Sequence, residues 1–67
     1  MIKLTVNGEP RDLEGPTPLQ AFLESLGVNT QLVAVAHNGT VLRKGTYADI
    51  TLNDGDTLEV VRPVGGG

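Results

Sequence analysis

Apolar residues occupy every second position of residues 2–6, the pattern of a strand with one buried face. Asn7-Gly8 follows and predicts a hairpin turn, because both residues tolerate a positive φ. The return strand, residues 11–14, has little apolar content and comes just after Pro10. We therefore expect a short strand at the edge of a sheet.

The next apolar residues recur at the spacing of a helix with one buried stripe. Four residues form this stripe: Leu19, Phe22, Leu23 and Leu26. Thr17 is the predicted N-cap, Pro18 the first helical residue, and Gln20 the partner that completes a capping box. Gly27 is suited to the left-handed C-terminal cap. We expect a helix of about nine residues, too short to be stable unless it packs on a sheet.

A second hairpin is predicted downstream of the helix. Residues 32–37 alternate, with the valines on one side and the alanines on the other, and Asn38-Gly39 closes the strand. Val41 and Leu42 would form its short partner. We expect the valines to enter the core and the alanines to face outward.

The last third of the chain predicts a loop, a turn and a final strand. Residues 43–50 have weak periodicity and indicate a loop with one helical turn, anchored by Tyr47. Residues 53–56 form a turn, and residues 57–61 alternate again as a strand. Pro63 ends the pairing because it cannot donate a ladder hydrogen bond.

The element order is therefore ββαββ plus a final β. One helix can cover one face of a sheet, so we expect an α+β roll in which a mixed sheet clasps the helix. The first and last strands alternate most strongly and are the expected centre of the sheet. Residues 1–62 would form the domain, and residues 63–67 a flexible tail.

Composition narrows the possible functions. The chain has 67 residues, no cysteine and a net charge of -3. Disulfides, thiol catalysis and cysteine zinc sites are excluded, and nucleic acid is a poor partner for such a charge. No apolar run approaches the roughly 18 residues that a membrane span needs. We expect a cytoplasmic protein that is monomeric when free.

Polar residues give little sign of an active site. His37 is the only histidine and lies at a strand end, where a structural role in the turn is expected. Asp54 and Asp56 flank Gly55 but lack the spacing of a calcium loop, so turn chemistry explains them. We predict no metal site and no catalytic side chain.

Three glycines, Gly65, Gly66 and Gly67, follow the last predicted strand. One explanation is a frayed terminus or a cloning scar, although three consecutive glycines are rarely placed together by chance. Alternatively, five extended residues reach about 17 Å, enough to thread into another protein's active site. Glycines would let a channel close around bare backbone, and an ionised α-carboxyl can attack an activated phosphate. In that case the chain is a substrate whose reactive group is its own C-terminus.

The whole chain resembles the ThiS family of ubiquitin-like sulfur carriers. The resemblance rests on the opening at residues 2–9, the strand and turn at 33–39, the Asp-Gly-Asp at 54–56, and the Gly-Gly at 66–67. It implies a β-grasp fold and a carrier that needs no cofactor of its own.

The resemblance also implies a reaction cycle with three partners. A ThiF-like adenylyltransferase would use ATP-Mg to adenylate the Gly67 carboxylate, and a cysteine desulfurase system would supply sulfur. The resulting thiocarboxylate would pass its sulfur to a ThiG-like thiazole synthase for the thiazole of thiamine.

Docking requires a surface besides the tail. The sheet face away from the helix should expose a small apolar patch, bordered by Thr5 and Glu59. The candidate contact residues are Ala34, Ala36, Val61 and, in the tail, Val64. The alternative is that these are scattered surface residues with no partner.

Two other functions fit the same features. A carrier for molybdopterin synthesis or tRNA thiolation would share the fold and the tail. A non-catalytic ubiquitin-like interaction module or modifier would use the tail as a flexible end or as an isopeptide donor.

Overall fold

The computed structural model describes residues 1–62, and the predicted tail at 63–67 lies outside the described residues. The elements in chain order are β1 (Ile2–Val6), β2 (Glu9–Leu13), β3 (Thr17–Pro18), α1 (Leu19–Ser25), β4 (Ala34–His37), β5 (Thr40–Val41), a 3-10 helix (Tyr47–Asp49), β6 (Thr51–Leu52) and β7 (Thr57–Val61).

Five strands form one mixed sheet in the order β2-β1-β7-β4-β5. The last strand, β7, is the middle strand and runs parallel to β1 and antiparallel to β4. The return strand β2 lies at the edge. The predicted α+β roll, a mixed sheet that clasps one helix in the β-grasp manner, is confirmed, as are the central positions of the first and last strands.

The core forms between the inner face of the sheet and the helix. Its buried apolar residues are Ile2, Leu4, Val6, Leu19, Phe22, Leu23, Val33, Val35, Tyr47, Leu52 and Leu58. The period-2 patterns predicted six of these residues and the helical stripe three others, so alternation and helical spacing identify most of this core. Tyr47 was predicted as a loop anchor, and only Leu52 was not predicted. Leu26 and Val60 pack against it while partly exposed.

The predicted capping box is wrong. Helix α1 begins at Leu19, with Pro18 as its N-cap residue and no side-chain cap hydrogen bond. The Thr17 hydroxyl instead donates to the Gly15 carbonyl at 2.8 Å. Gln20 Nε2 lies 3.0 Å from Glu24 Oε2, along the helix rather than back toward its start. The helix has seven residues rather than about nine.

The capping box does not form because the residues before the helix belong to a second, two-stranded sheet. The sequence pattern did not predict this sheet. Thr17 pairs with Leu52, and Pro18 with Thr51, in antiparallel register. The first helical N–H, that of Leu19, donates to the Ile50 carbonyl just before β6, at 2.8 Å. A long-range strand pairing therefore satisfies the group that a local cap would have served.

Three strands also differ from their predicted bounds. β2 begins at Glu9 rather than residue 11, and β4 begins at Ala34 rather than residue 32. β5 comprises Thr40–Val41 rather than residues 41–42. These shifts of one or two residues are ordinary where a strand meets a turn.

Both predicted Asn-Gly turns are confirmed. The first has φ values of 51° at Asn7 and 84° at Gly8, and the second has 50° at Asn38 and 85° at Gly39. Positive φ at both central positions is the backbone of a type I′ turn, which matches the twist of the flanking strands.

The predicted loop anchor is confirmed as well. Tyr47 opens the 3-10 helix, is buried, and donates its hydroxyl to the Val33 carbonyl at 3.2 Å.

Candidate functional site

The candidate site lies where the central strand ends. β7 runs through the middle of the sheet to Val61, and Arg62 is the last described residue. β7 is paired with a strand on each side, β1 and β4. The candidate residues Val64, Gly65, Gly66 and Gly67 lie outside the described residues.

The predicted outward-facing residues are brought together by the strand register. Ala34 lies opposite Val61 across the β4–β7 pair, and Ala36 lies opposite Glu59. Val61 is 57% exposed and Ala34 is also exposed, whereas Ala36 is half-buried. Thr5 and Glu59 are exposed on their strands, as expected.

Sequence reasoning missed one member of this surface. Val41 in β5 lies opposite Ala36 and is 77% exposed. A two-residue strand has no alternation to show which face each side chain takes, so only the register reveals it. We call the resulting group the outer patch: Ala34, Ala36, Val41 and Val61.

The side chain of His37 links two turns. Its Nε2 donates to Asp56 Oδ2 at 2.9 Å, since an ionised carboxylate can only accept. Burial raises the pKa of Asp56. Hydrogen bonds from His37, the Asn53 N–H and Asn38 outweigh that effect, however, and hold the pKa of Asp56 below its ordinary value. The predicted structural role of His37 at the turn is confirmed.

The Asp-Gly-Asp segment also serves its turn. Asp54 Oδ1 accepts from the Lys3 N–H at 2.8 Å, and Asp56 Oδ2 accepts from the Asn53 N–H at 2.9 Å. Within residues 1–62, no group of three or more histidine, aspartate or glutamate residues could hold a metal ion.

An open groove of about 350 Å³ lies beside the end of β7. Among the described residues that line it, Asn7, Glu9, Arg11 and Arg62 are polar and the others are apolar. The described lining residues include neither a histidine nor a hydroxyl side chain. No helix in the described part of the chain is long and apolar enough to cross a membrane.

The fold and the candidate site define a small ubiquitin-like β-grasp domain with an apolar patch beside the end of its central strand. The model of the ThiS family matches residues 4–67, nearly the whole chain. The protein belongs to the ThiS family.

Individual relatives agree with this assignment. The sulfur carrier protein ThiS of Thermus thermophilus is 45% identical over 62 residues, which cover 92% of this chain and 95% of that protein. The crystal structure of the thiamine biosynthesis protein ThiS from Geobacter metallireducens superposes with a TM-score of 0.86 at 35% identity. That match covers 98% of this chain and all of the other.

A second kind of relative is much longer. The thiazole synthase of Paramagnetospirillum magneticum is 42% identical over 66 residues. These residues cover 98% of this chain but only 20% of that protein, and a thiazole synthase of Magnetococcus marinus has the same coverage. The chain therefore spans about a fifth of the length of these two relatives.

Proposed function

We propose that the protein is a sulfur carrier of thiamine biosynthesis whose reactive group is the Gly67 carboxylate. The observation that carries this proposal is the family match over residues 4–67, which includes both the central strand and the Gly-Gly segment. Residues 1–62 act as the domain that partners recognise, and residues 63–67 as the tail that enters their active sites.

The chemistry proceeds in two substitutions, the first at the α-phosphorus of ATP and the second at the Gly67 carboxyl carbon. A carboxylate oxygen first attacks the α-phosphorus of ATP, and pyrophosphate leaves with its Mg²⁺. The persulfide sulfur of the desulfurase system is reduced to the oxidation level of sulfide by a thiol, which is oxidised to a disulfide. This sulfur forms a C–S bond as the C–O bond to AMP breaks. The products are AMP and a thiocarboxylate, which holds sulfur without any cysteine in the carrier.

Partner enzymes supply the catalysis. A ThiF-like adenylyltransferase binds ATP-Mg, and a cysteine desulfurase system provides the sulfur, so the carrier is a substrate rather than an enzyme. The cycle runs in the cytoplasm, where ATP is available. A ThiG-like thiazole synthase is the proposed acceptor; it is supported by the two thiazole synthases that include a segment similar to this chain.

The outer patch is the proposed docking surface. Val61 is its member nearest the tail, and Ala34 lies directly across from it. Val64 extends the contact into the tail. Apolar residues clustered beside the reactive segment would let one partner hold the domain while its active site takes up the glycines.

The direct test of this proposal alters only the tail. Deletion of Gly67, or addition of one alanine after it, should abolish ATP-pyrophosphate exchange with the cognate ThiF-like enzyme, because the carboxylate no longer reaches the α-phosphorus. Both variants should keep the wild-type unfolding temperature. Undiminished exchange in either variant would refute the role of the Gly67 carboxylate.

A further inference from the structure

The side chain of Asn7 binds the backbone of the last strand. Its Oδ1 accepts from the Val60 N–H at 2.8 Å, and its Nδ2 donates to the Val60 carbonyl at 3.2 Å. A carboxamide has the same donor and acceptor as a peptide group, so it can stand in for one in a strand ladder.

This contact begins where the ordinary ladder stops. β1 pairs with β7 in parallel register up to Val6 opposite Leu58, and the Asn7 N–H still donates to the Leu58 carbonyl at 2.9 Å. The φ of 51° at Asn7 then turns the backbone away into the hairpin. The Asn7 carboxamide takes the place of the backbone and bonds the N–H and carbonyl of Val60. Val60 is the next residue of β7 after Leu58 whose backbone groups point toward β1.

The second Asn-Gly turn holds the opposite end of the same strand. Asn38 Oδ1 accepts from the Thr57 N–H at 2.8 Å, and the Asn38 N–H donates to the Thr57 carbonyl at 2.8 Å. Asn38 Nδ2 also lies 3.2 Å from Asp56 Oδ1. Two turns of the same backbone type therefore hold β7, one at its start and one at its end.

We propose that Asn7 is a positioning residue that holds the end of β7 in register, next in sequence to the proposed reactive segment. Val60 is two residues before Arg62, so its fixation sets the direction in which the following segment starts. A fixed starting point reduces the conformational entropy that a partner must remove when it binds that segment. This inference rests on the proposed function, in which partners act on the tail.

A matched pair of variants tests the inference. Asn7→Gly and Asn38→Gly each remove one carboxamide. The glycine that replaces each asparagine adopts positive φ without strain. The cost to unfolding should be similar in the two variants. By NMR, Asn7→Gly should speed amide hydrogen exchange at Val60, and Asn38→Gly should do so at Thr57.

Only the Asn7 variant should impair the reaction of the tail. We expect kcat/KM for adenylation to fall about tenfold in Asn7→Gly, because both hydrogen bonds from its carboxamide to Val60 are lost. Asn38→Gly should stay within about twofold of wild type, because the hydrogen bonds that it loses lie at the start of β7. Equal losses in both variants, or an unchanged Val60 exchange rate in Asn7→Gly, would overturn the positioning role.

Two further readouts keep the result interpretable. Asn7→Asp is isosteric and keeps the acceptor for the Val60 N–H, but it replaces the donor to the Val60 carbonyl with a charged oxygen. If the glycine variant folds poorly, Asn7→Asp should still speed hydrogen exchange at Val60 and lower kcat/KM for adenylation. Wild-type protein that is not adenylated would refute the proposed function. In that case, the exchange rate at Val60 and the ¹⁵N relaxation of Arg62 still decide whether Asn7 holds the strand end.

Discussion

At the scale of single residues, the polar side chains of this protein mainly serve turns. Asp56 is the clearest case, because its carboxylate accepts hydrogen bonds from the Asn53 N–H, His37 and Asn38. Asp56 and His37 are 19 positions apart in the chain, so their contact ties the Asn-Gly turn after β4 to the turn before β7.

Replacement of Asp56 by asparagine should reveal this role through pH. The pKa of Asp56 is below its ordinary value of 3.8, so the ionised form is favoured in the folded state and adds stability at neutral pH. This contribution is lost as pH falls from about 4 through the lower folded pKa. Asp56→Asn should therefore cost about 1.5 to 3 kcal/mol at pH 7, the usual value of hydrogen bonds to a charged group.

Urea unfolding between pH 7 and pH 2 measures the effect. The difference between wild type and Asp56→Asn should narrow as the solution becomes more acid. The same substitution at the exposed Asp12 should change stability by less than about 0.5 kcal/mol at pH 7. A difference that stays constant down to pH 2 would show that ionisation of Asp56 does not contribute.

At the scale of elements, local sequence signals predicted the features that residues close together in the chain determine. The alternating strands, both Asn-Gly turns and the glycine cap at Gly27, with φ of 78°, all follow from such signals. The start of the helix does not, because Thr17 and Pro18 pair with residues more than thirty positions away. A capping motif states a local preference, and a tertiary strand pairing can override it.

Leu52 shows what the local patterns left out. It belongs to the two-residue strand β6, which has no periodicity to detect, yet its side chain is completely buried. Leu52→Ala should destabilise the domain by about 2 to 5 kcal/mol, because the core cannot close the cavity fully.

Thermal unfolding followed by circular dichroism provides the measurement. Leu32→Ala is the matched control, since Leu32 is 58% exposed and its truncation should cost less than about 0.5 kcal/mol. Similar unfolding temperatures for the two variants would mean that β6 is not part of the core.

At the scale of the whole molecule, the sheet order explains how the outer patch forms. It also explains why the sequence predicted only part of that patch. Alternation predicted that Ala34, Ala36 and Val61 face outward, and the register makes Ala34 and Val61 direct neighbours. The register also adds Val41, which alternation could not place. The contact of Asn7 with Val60 spans 53 positions, so no local pattern predicts it.

The outer patch should be separable from the stability of the domain. Val61→Glu should weaken binding of the ThiF-like partner by about tenfold or more, because a charge would enter an apolar contact. Unfolding stability should change by less than about 0.5 kcal/mol, since Val61 is 57% exposed.

Ala21→Glu provides the control for added charge. Ala21 is exposed on the helix, which covers the opposite face of the sheet, and glutamate is compatible with a helix. This variant should bind the partner like wild type, as measured by isothermal titration calorimetry. Equal weakening in both variants would point to net charge rather than to the outer patch.

The central claim is that this protein carries sulfur on the carboxyl group of Gly67. The most direct measurement is an intact-mass spectrum, with C-terminal fragmentation, of protein purified from its native host. We predict a fraction of molecules in which one oxygen of Gly67 is replaced by sulfur. If no such fraction is present, or if the sulfur lies on another residue, the account is contradicted.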